Sequence, residues 1–97
     1  MEALIAGNVF GDPEQRAGKA DTVFVVAKVR AHAGDGEIYL ANVIAFEAQV
    51  CSELLRLRDG DAVALTGSLT PKIWTDKQGN SRPVVDLVAH KILAMAP

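Results

Sequence analysis

Residues 47–58 read EAQVCSELLRLR, and this stretch decides the fold because its apolar residues follow a helical period within a chain of strand-like segments. Val50, Leu54 and Leu57 recur at the i, i+4 and i+7 positions that share one face of a helix. The stretch ends in arginines, which suit the C-terminal end of a helix dipole, and Asp59-Gly60-Asp61 follows as a turn. We therefore predict one helix of about three turns over residues 47–58.

Two strands are predicted before this helix. In residues 22–30, TVFVVAKVR, one face carries Val23, Val25, Ala27 and Val29, and the other carries Phe24, Val26, Lys28 and Arg30. The next segment, residues 33–36 (AGDG), is typical of a turn. Residues 37–46, EIYLANVIAF, then place Ile38, Leu40, Ile44 and Phe46 at even positions. The two segments are predicted to pair as a hairpin.

The rest of the chain also has strand character. Residues 3–9 predict a first strand that Gly11-Asp12-Pro13-Glu14 interrupts, and residues 62–69 alternate up to a glycine, Gly67, that suggests a bulge or sharp bend. Residues 76–81, DKQGNS, form a polar tip between KIWT at 72–75 and an apolar run at 83–95. This arrangement predicts a long hairpin.

The predicted order is strand, strand, strand, helix, strand, strand, which matches an all-β, five-stranded OB-fold, a Greek-key barrel with one short helix between strands 3 and 4. A chain of 97 residues is too short for two independent cores, so we expect one domain spanning residues 1–97. This fold alone leaves function open, because OB-folds bind single-stranded DNA, RNA, oligosaccharides and proteins.

Composition restricts the functional classes. The net charge is -2, with 10 Lys and Arg against 12 Asp and Glu, so the chain as a whole does not attract a polyanion. The single cysteine, Cys51, cannot form an internal disulfide and is expected to be a small core residue. There is no secretory signal and no apolar run of about 18 residues, so we expect a cytoplasmic protein without a membrane partner.

Three segments resemble the bacterial single-stranded DNA-binding protein family. They are GNVFGDPEQR at 7–16, FEAQVCSELL at 46–55 and, most specifically, KIWTDKQGNSR at 72–82. The resemblance implies an OB-fold that binds single-stranded DNA with little sequence preference in replication, recombination or repair. It also implies self-association, and we expect a homodimer or homotetramer.

The resemblance assigns candidate DNA-binding residues. Trp74 is similar in position to a stacking tryptophan of the family, Phe46 to a stacking phenylalanine, and His32 and Leu40 stand where other members stack tryptophans. The candidate basic residues are Arg16, Lys28, Arg30, Lys72, Lys77 and Arg82. For Trp74 and Phe46 packing in the barrel stays open as an alternative, and for the basic residues a solvated surface role does.

The sequence offers no pattern typical of catalysis or metal binding. His32 and His90 have no cysteine or carboxylate at ligand spacing, and no nucleophile with a base or phosphate-binding glycine loop is visible. We therefore expect no metal, no cofactor and no enzymatic activity.

A second interpretation of the function stays open. The chain also resembles primosomal replication protein N, and it ends at Ala94-Met95-Ala96-Pro97 without the glycine-rich acidic tail that recruits partners in the DNA-binding family. We expect no recruitment through such a tail. The alternative function is an OB-fold adaptor for replication or primosome proteins with weak or no DNA affinity, which the net charge of -2 favours. RNA binding also stays open, because base stacking does not distinguish the two nucleic acids.

Overall fold

A computed structural model describes residues 1–94 of the chain. Met95, where the last apolar run was predicted to end, and Ala96-Pro97 of the predicted tailless terminus lie outside the described residues. The strands are β1 (Glu2–Val9), β2 (Glu14–Ala17), β3 (Val23–His32), β4 (Ile38–Ala45), β5 (Ala62–Thr75) and β6 (Ser81–Ala94). One α-helix, α1 (Ala48–Leu55), follows β4, and a 3-10 turn covers Lys19–Asp21.

The strands close into a barrel. Their order is β1-β5-β6-β4-β3-β2, and a further pairing of β1 with β3 completes the ring. The β4–β6 pair is parallel and the other pairs are antiparallel. This confirms the predicted OB-fold barrel with its helix between the third and fourth barrel strands.

The strand β2 was not predicted from the sequence. The chain leaves β1 at Gly11, which has a φ of +77°. Residues 14–17 then pair with the N-terminal half of β3, while the end of β1 pairs with its C-terminal half. Thus β1 and β2 occupy one barrel position in succession. All four β2 residues are exposed, so no apolar alternation marks the strand in the sequence.

The core follows the alternation of the strands, as predicted for β3. Val25, Ala27, Val29 and Ala31 are buried, while the residues between them point outward. In β4 the buried residues are the odd-numbered ones, Ala41, Val43 and Ala45, so the even-numbered apolar side chains are directed outward. The barrel therefore has a small-residue interior and a partly apolar exterior.

The helix is shorter than the predicted 47–58. It ends at Leu55 because Leu57 N–H donates to the Leu54 carbonyl in a tighter turn, and the Asp61 carboxylate accepts from the Arg58 N–H at 2.8 Å. Its apolar face is as predicted: Val50, Cys51 and Leu54 are buried in the barrel core. The helix packs on β6, β3 and β2 and covers that part of the core.

The predicted irregularity at Gly67 is confirmed. The register of β5 against β6 shifts between Thr66 and Gly67. A Cβ on Gly67 would lie 2.0 Å from the Val88 carbonyl oxygen, so only glycine allows this close backbone approach. Within residues 1–94, no helix has the length and apolar character needed to cross a membrane.

Candidate nucleic-acid interface

An open groove of about 930 Å³ runs over the outer face of the barrel. We call this feature the groove. Strands β2 to β6 and the β1–β2 connection each contribute side chains to it. The outward side chains that line it are Phe10, Asp12, Glu14, Arg16, Val26, Lys28, Asn42, Ile44, Thr70, Lys72, Asp86 and Val88. Because residues opposite one another on paired strands share a face, the strand register arranges these side chains in rows across the sheet.

Two kinds of row alternate across the groove. An apolar row joins Val26, Ile44 and Val88 on β3, β4 and β6. The next row is polar and joins Lys28, Asn42, Asp86 and Thr70. Apolar surface of this kind can contact the face of any base, whereas the polar row offers hydrogen bonds and charge.

The charged groups of the groove are balanced. Three acids, Asp12, Glu14 and Asp86, accompany three bases, Arg16, Lys28 and Lys72. Two of the bases are paired within the chain: Arg16 lies 3.3 Å from Glu14, and Lys72 lies 2.5 Å from Asp86. No acidic partner within residues 1–94 pairs with Lys28. The groove is therefore not a uniformly basic surface.

Asp86 is held in its ionised form by its neighbours. The Lys72 ammonium donates to one carboxylate oxygen, and the Asn42 amide donates to the other at 3.3 Å. The Lys72 bond, with a smaller contribution from Asn42, lowers the pKa of Asp86 below its ordinary value of 3.8, although partial burial opposes this. A negative charge thus lies in the middle of the groove at neutral pH.

A cation–π pair borders the groove. The Arg30 guanidinium lies 4.2 Å from the centre of the Phe10 ring. The Phe10 backbone N–H donates to the Lys28 carbonyl at 2.8 Å, which fixes this residue beside β3 just after β1 ends. This contact orders the long Arg30 side chain, and the Phe10 ring remains 44% exposed.

The strands β5 and β6 extend beyond the barrel as the predicted hairpin. We call residues 73–82 the hairpin arm. Trp74 pairs with Arg82 across the two strands, so their side chains share a face with the Lys72–Val84 pair. Trp74 is 54% exposed, so its ring is available to a ligand. The arm therefore continues the outward face of the groove.

The tip of the arm is held by Asp76. Its carboxylate accepts from the backbone N–H groups of Gln78 and Asn80, both at 2.9 Å. The Asn80 bond is the main cause of a lowered pKa for Asp76, with help from Gln78 and from the Arg82 charge. Behind the tip the Thr75 and Ser81 hydroxyls lie 3.1 Å apart. These local bonds determine the shape of a hairpin that has little core beneath it.

The structure brings the sequence-predicted residues to one outward face, with one exception. On β2 and β3 these are Arg16, Lys28, Arg30 and His32, on and just after β4 Leu40 and Phe46, and on β5 and β6 Lys72, Trp74 and Arg82. Lys77 lies apart, in the exposed turn at the tip of the arm.

The two predicted positions that lack a strong stacking residue differ in their surroundings. The His32 ring nitrogen Nε2 lies 3.5 Å from the Asn8 amide oxygen and remains exposed. Leu40 is half-buried in the row that runs from Arg30 to Val84.

The predicted stacking residue Phe46 is 51% exposed and lies outside the buried core. The centre of its ring lies 6.0 Å from the centre of the Phe24 ring.

Three residues of this surface were not predicted from the sequence. Phe10 was noticed only as part of a motif, since its place beside Arg30 depends on the β1–β3 pairing. Asn42 and Asp86 carried a usable signal, because each is the single polar residue of an apolar run, residues 40–46 and residues 83–89. Within the described part of the chain, no group of three His, Cys, Asp or Glu side chains is arranged to hold a metal ion.

The known proteins that this chain resembles are single-strand binding proteins. The sequence profile of the single-strand binding protein family matches residues 1–95. A single-stranded DNA-binding protein of Deinococcus radiodurans is 30% identical over 98% of this chain, which spans 34% of that protein's length.

Two solved structures share the fold. A small single-stranded DNA-binding protein from Streptomyces coelicolor superposes with a TM-score of 0.77 at 22% identity. The mitochondrial single-stranded DNA binding protein of S. cerevisiae has a TM-score of 0.71 at 14% identity. In both cases the match covers 98% of this chain and 94% of the other. With its barrel, its groove and a family match over nearly its full length, this chain belongs to the single-strand binding protein family.

Proposed function

We propose that this protein binds single-stranded DNA with little dependence on sequence, by stacking bases on aromatic side chains and by contacts between basic side chains and phosphates. The observation that carries the proposal is the shared outward face of the predicted stacking and basic residues, which come from five different strands. Membership of the single-strand binding protein family supports it.

In this proposal the arm and the groove contribute different contacts. Trp74 stacks on a base, and Lys77 and Arg82 contact the phosphates beside it. On the barrel face, Arg16, Lys28 and Lys72 in the groove and Arg30 beside it follow the backbone. Also beside the groove, Phe46 and His32 stack, and Leu40 gives apolar contact. Because His32 and Leu40 are weaker stacking groups than tryptophan, we expect lower affinity than that of a member with aromatics at both positions.

We further propose that binding serves DNA replication, recombination or repair in the cytoplasm and involves no catalytic step. The D. radiodurans relative carries the name single-stranded DNA-binding protein, which supports the ligand. This chain corresponds to only 34% of that relative's length. The cellular process is therefore our own inference and is not transferred from the relative.

We propose that the protein acts as a homodimer or homotetramer. Ala6, Ala64 and Leu93 lie opposite one another on β1, β5 and β6, and Leu4 is exposed beside them. Leu4, Ala6 and Leu93 are exposed, whereas Ala64 between them is buried, and the three exposed apolar side chains suit a second copy of the chain. Joining two grooves would raise the effective concentration for one strand. Light scattering is expected to give a multiple of the 10.3 kDa chain mass, and a mass of one chain would contradict this proposal.

A second candidate function is interaction with replication or primosome proteins. The observation that favours it lies on the opposite face of the arm, where Ile73 is 76% exposed beside Tyr39, Pro71 and Pro83. Purified helicase and primase components would serve as test partners. If this candidate is right, Ile73→Ser abolishes their capture, while Ile38→Ser, at an apolar residue of β4 that is 56% exposed, preserves it.

The primary function is tested by filter binding at low salt. The ligands are oligo-dT, a mixed-sequence strand, the same strand as RNA, and its duplex. We expect the two DNA strands to bind with similar affinity and the duplex to bind far more weakly. Equal binding to duplex and single strand, or no binding to either, would contradict the proposal, and tighter binding to the RNA strand would reassign the ligand.

A further inference from the structure

One acidic side chain lies where the proposed DNA path crosses the groove. Asp86 is on β6 in the polar row, opposite Asn42 on β4 and Thr70 on β5. The apolar row of Ile44 and Val88 lies on one side of it, and the row of Leu40 and Val84 lies on the other. A strand that lies along the groove must therefore pass close to this carboxylate.

The carboxylate is already bound by the groups that a phosphate would use. Lys72 donates to Oδ2, and the Asn42 amide donates to Oδ1. Both members of the ion pair remain accessible, since the Lys72 side chain is 58% exposed and the Asp86 side chain is 35% exposed. An ionised carboxylate and a phosphate present the same kind of paired anionic oxygens, so the two compete for one ammonium group.

Lys28, which lies in the same polar row as Asp86, provides a contrast to Lys72. It faces the groove like Lys72, and no carboxylate within residues 1–94 forms an ion pair with it. A phosphate that binds Lys28 gains a new ion pair. A phosphate that binds Lys72 must instead exchange one ion pair for another.

We infer that Asp86 is an internal counter-anion that occupies the phosphate-binding site of Lys72 in the free protein and thereby limits the affinity of the groove for a nucleic-acid strand. The inference rests on the proposed function. It identifies the ligand group at this site as a phosphodiester and makes Asp86 an affinity-limiting residue. In the wild-type protein Lys72 therefore adds little to affinity and releases few counterions from the strand.

The test is an oligo-dT titration of Asp86→Asn over a salt series. The variant keeps a side chain that can bond Asn42 and removes the charge that holds Lys72. We expect about two- to fivefold tighter binding, the range set by an exposed ion pair. We also expect the slope of log affinity against log salt to steepen by about 0.7, the value for one additional phosphate contact on a single strand.

The control is Asp21→Asn. Asp21 is exposed, lies outside the groove lining and has a φ of +62°, which asparagine tolerates. The Asp21→Asn substitution produces the same change in net charge but at a site away from the groove. We therefore expect the affinity of this variant for oligo-dT and its salt slope to change much less. Thermal unfolding of each variant establishes that it is folded.

A double-mutant cycle isolates the pair. Lys72→Ala is expected to have little effect in the wild-type background and to weaken binding several-fold in the Asp86→Asn background. If wild type binds and Asp86→Asn binds equally or more weakly, Asp86 is not a competitor, and the inference is overturned while the proposed function stands. If neither protein binds the strand, both are overturned.

Discussion

The groove and the hairpin arm both carry basic and aromatic or apolar side chains, but they differ in whether the basic side chains are paired with acids of the chain. In the groove the cations lie on a sheet supported by the barrel core, and two of the three, Arg16 and Lys72, are paired with acids of the chain. In the arm Lys77 and Arg82 form no ion pair within residues 1–94, and the exposed Trp74 lies opposite Arg82 on the paired strand.

This difference separates two contributions to binding. The arm provides an exposed aromatic face and unpaired charge but depends on a few local hydrogen bonds for its shape. The groove provides a fixed, partly apolar surface whose charges are largely compensated. We therefore expect the arm to contribute most of the stacking energy, and the cations without an ion pair, Lys28 in the groove and Lys77 and Arg82 in the arm, to determine how strongly binding depends on salt.

The largest effect is expected from a change that disrupts the barrel beneath both regions. In Gly67→Ala the new Cβ would lie 2.0 Å from the Val88 carbonyl oxygen, and this contact is with backbone that cannot move aside. We expect the free energy of unfolding to fall by about 3 kcal/mol in urea denaturation. Gly34→Ala is the control, since a Cβ there meets open space. Equal stability of the two variants would show that the close approach is not required.

The next largest effect is expected in the arm. Trp74→Ala removes a stacking face and should weaken oligo-dT binding by about 1–3 kcal/mol, roughly 5- to 150-fold, without loss of stability. Ile73→Ala is a matched control because Ile73 is the adjacent exposed residue on the opposite face of the same strand. If both variants bind as wild type does, the arm does not stack on bases.

A smaller effect is expected from the charges of the groove. Lys28→Ala removes an unpaired cation and should reduce the salt slope by about 0.7. Arg16→Ala removes a cation that is paired with Glu14 and should change the slope less. Titrations of both variants over one salt series make the comparison. Identical slope changes would mean that pairing within the chain does not affect phosphate contacts.

The smallest effect concerns pH. Because the pKa of Asp86 is lowered in the folded protein, its ion pair adds stability above the ordinary value of 3.8, and this is lost as pH falls through the lowered pKa. The stability difference between wild type and Asp86→Asn should therefore be present near neutral pH and vanish in strong acid. Urea denaturation at several pH values measures it. A difference that is constant with pH would contradict the assignment.

Much of the arm could be predicted from the sequence because its determinants are local. The turn at Asp76, the tryptophan and the basic residues all lie within a few positions of one another. The outward face of β3 was equally accessible, since strict alternation assigns Lys28 and Arg30 to one side.

Other features depend on pairings between distant segments. The strand at residues 14–17 has no buried residue and exists through its pairing with β3. Phe10 reaches Arg30 only when β1 pairs with β3, and the Asp86–Lys72 contact requires the β5–β6 register. The helix end was overestimated because the Asp61 bond to the Arg58 N–H competes with further helical turns.

The most direct test of the central claim is a titration of the intrinsic fluorescence of Trp74, the single tryptophan of the chain, with oligo-dT over a salt series. The account predicts saturable quenching at low salt and an affinity that falls linearly with salt on logarithmic axes. Unchanged tryptophan fluorescence at every salt concentration, with no strand bound, would contradict it.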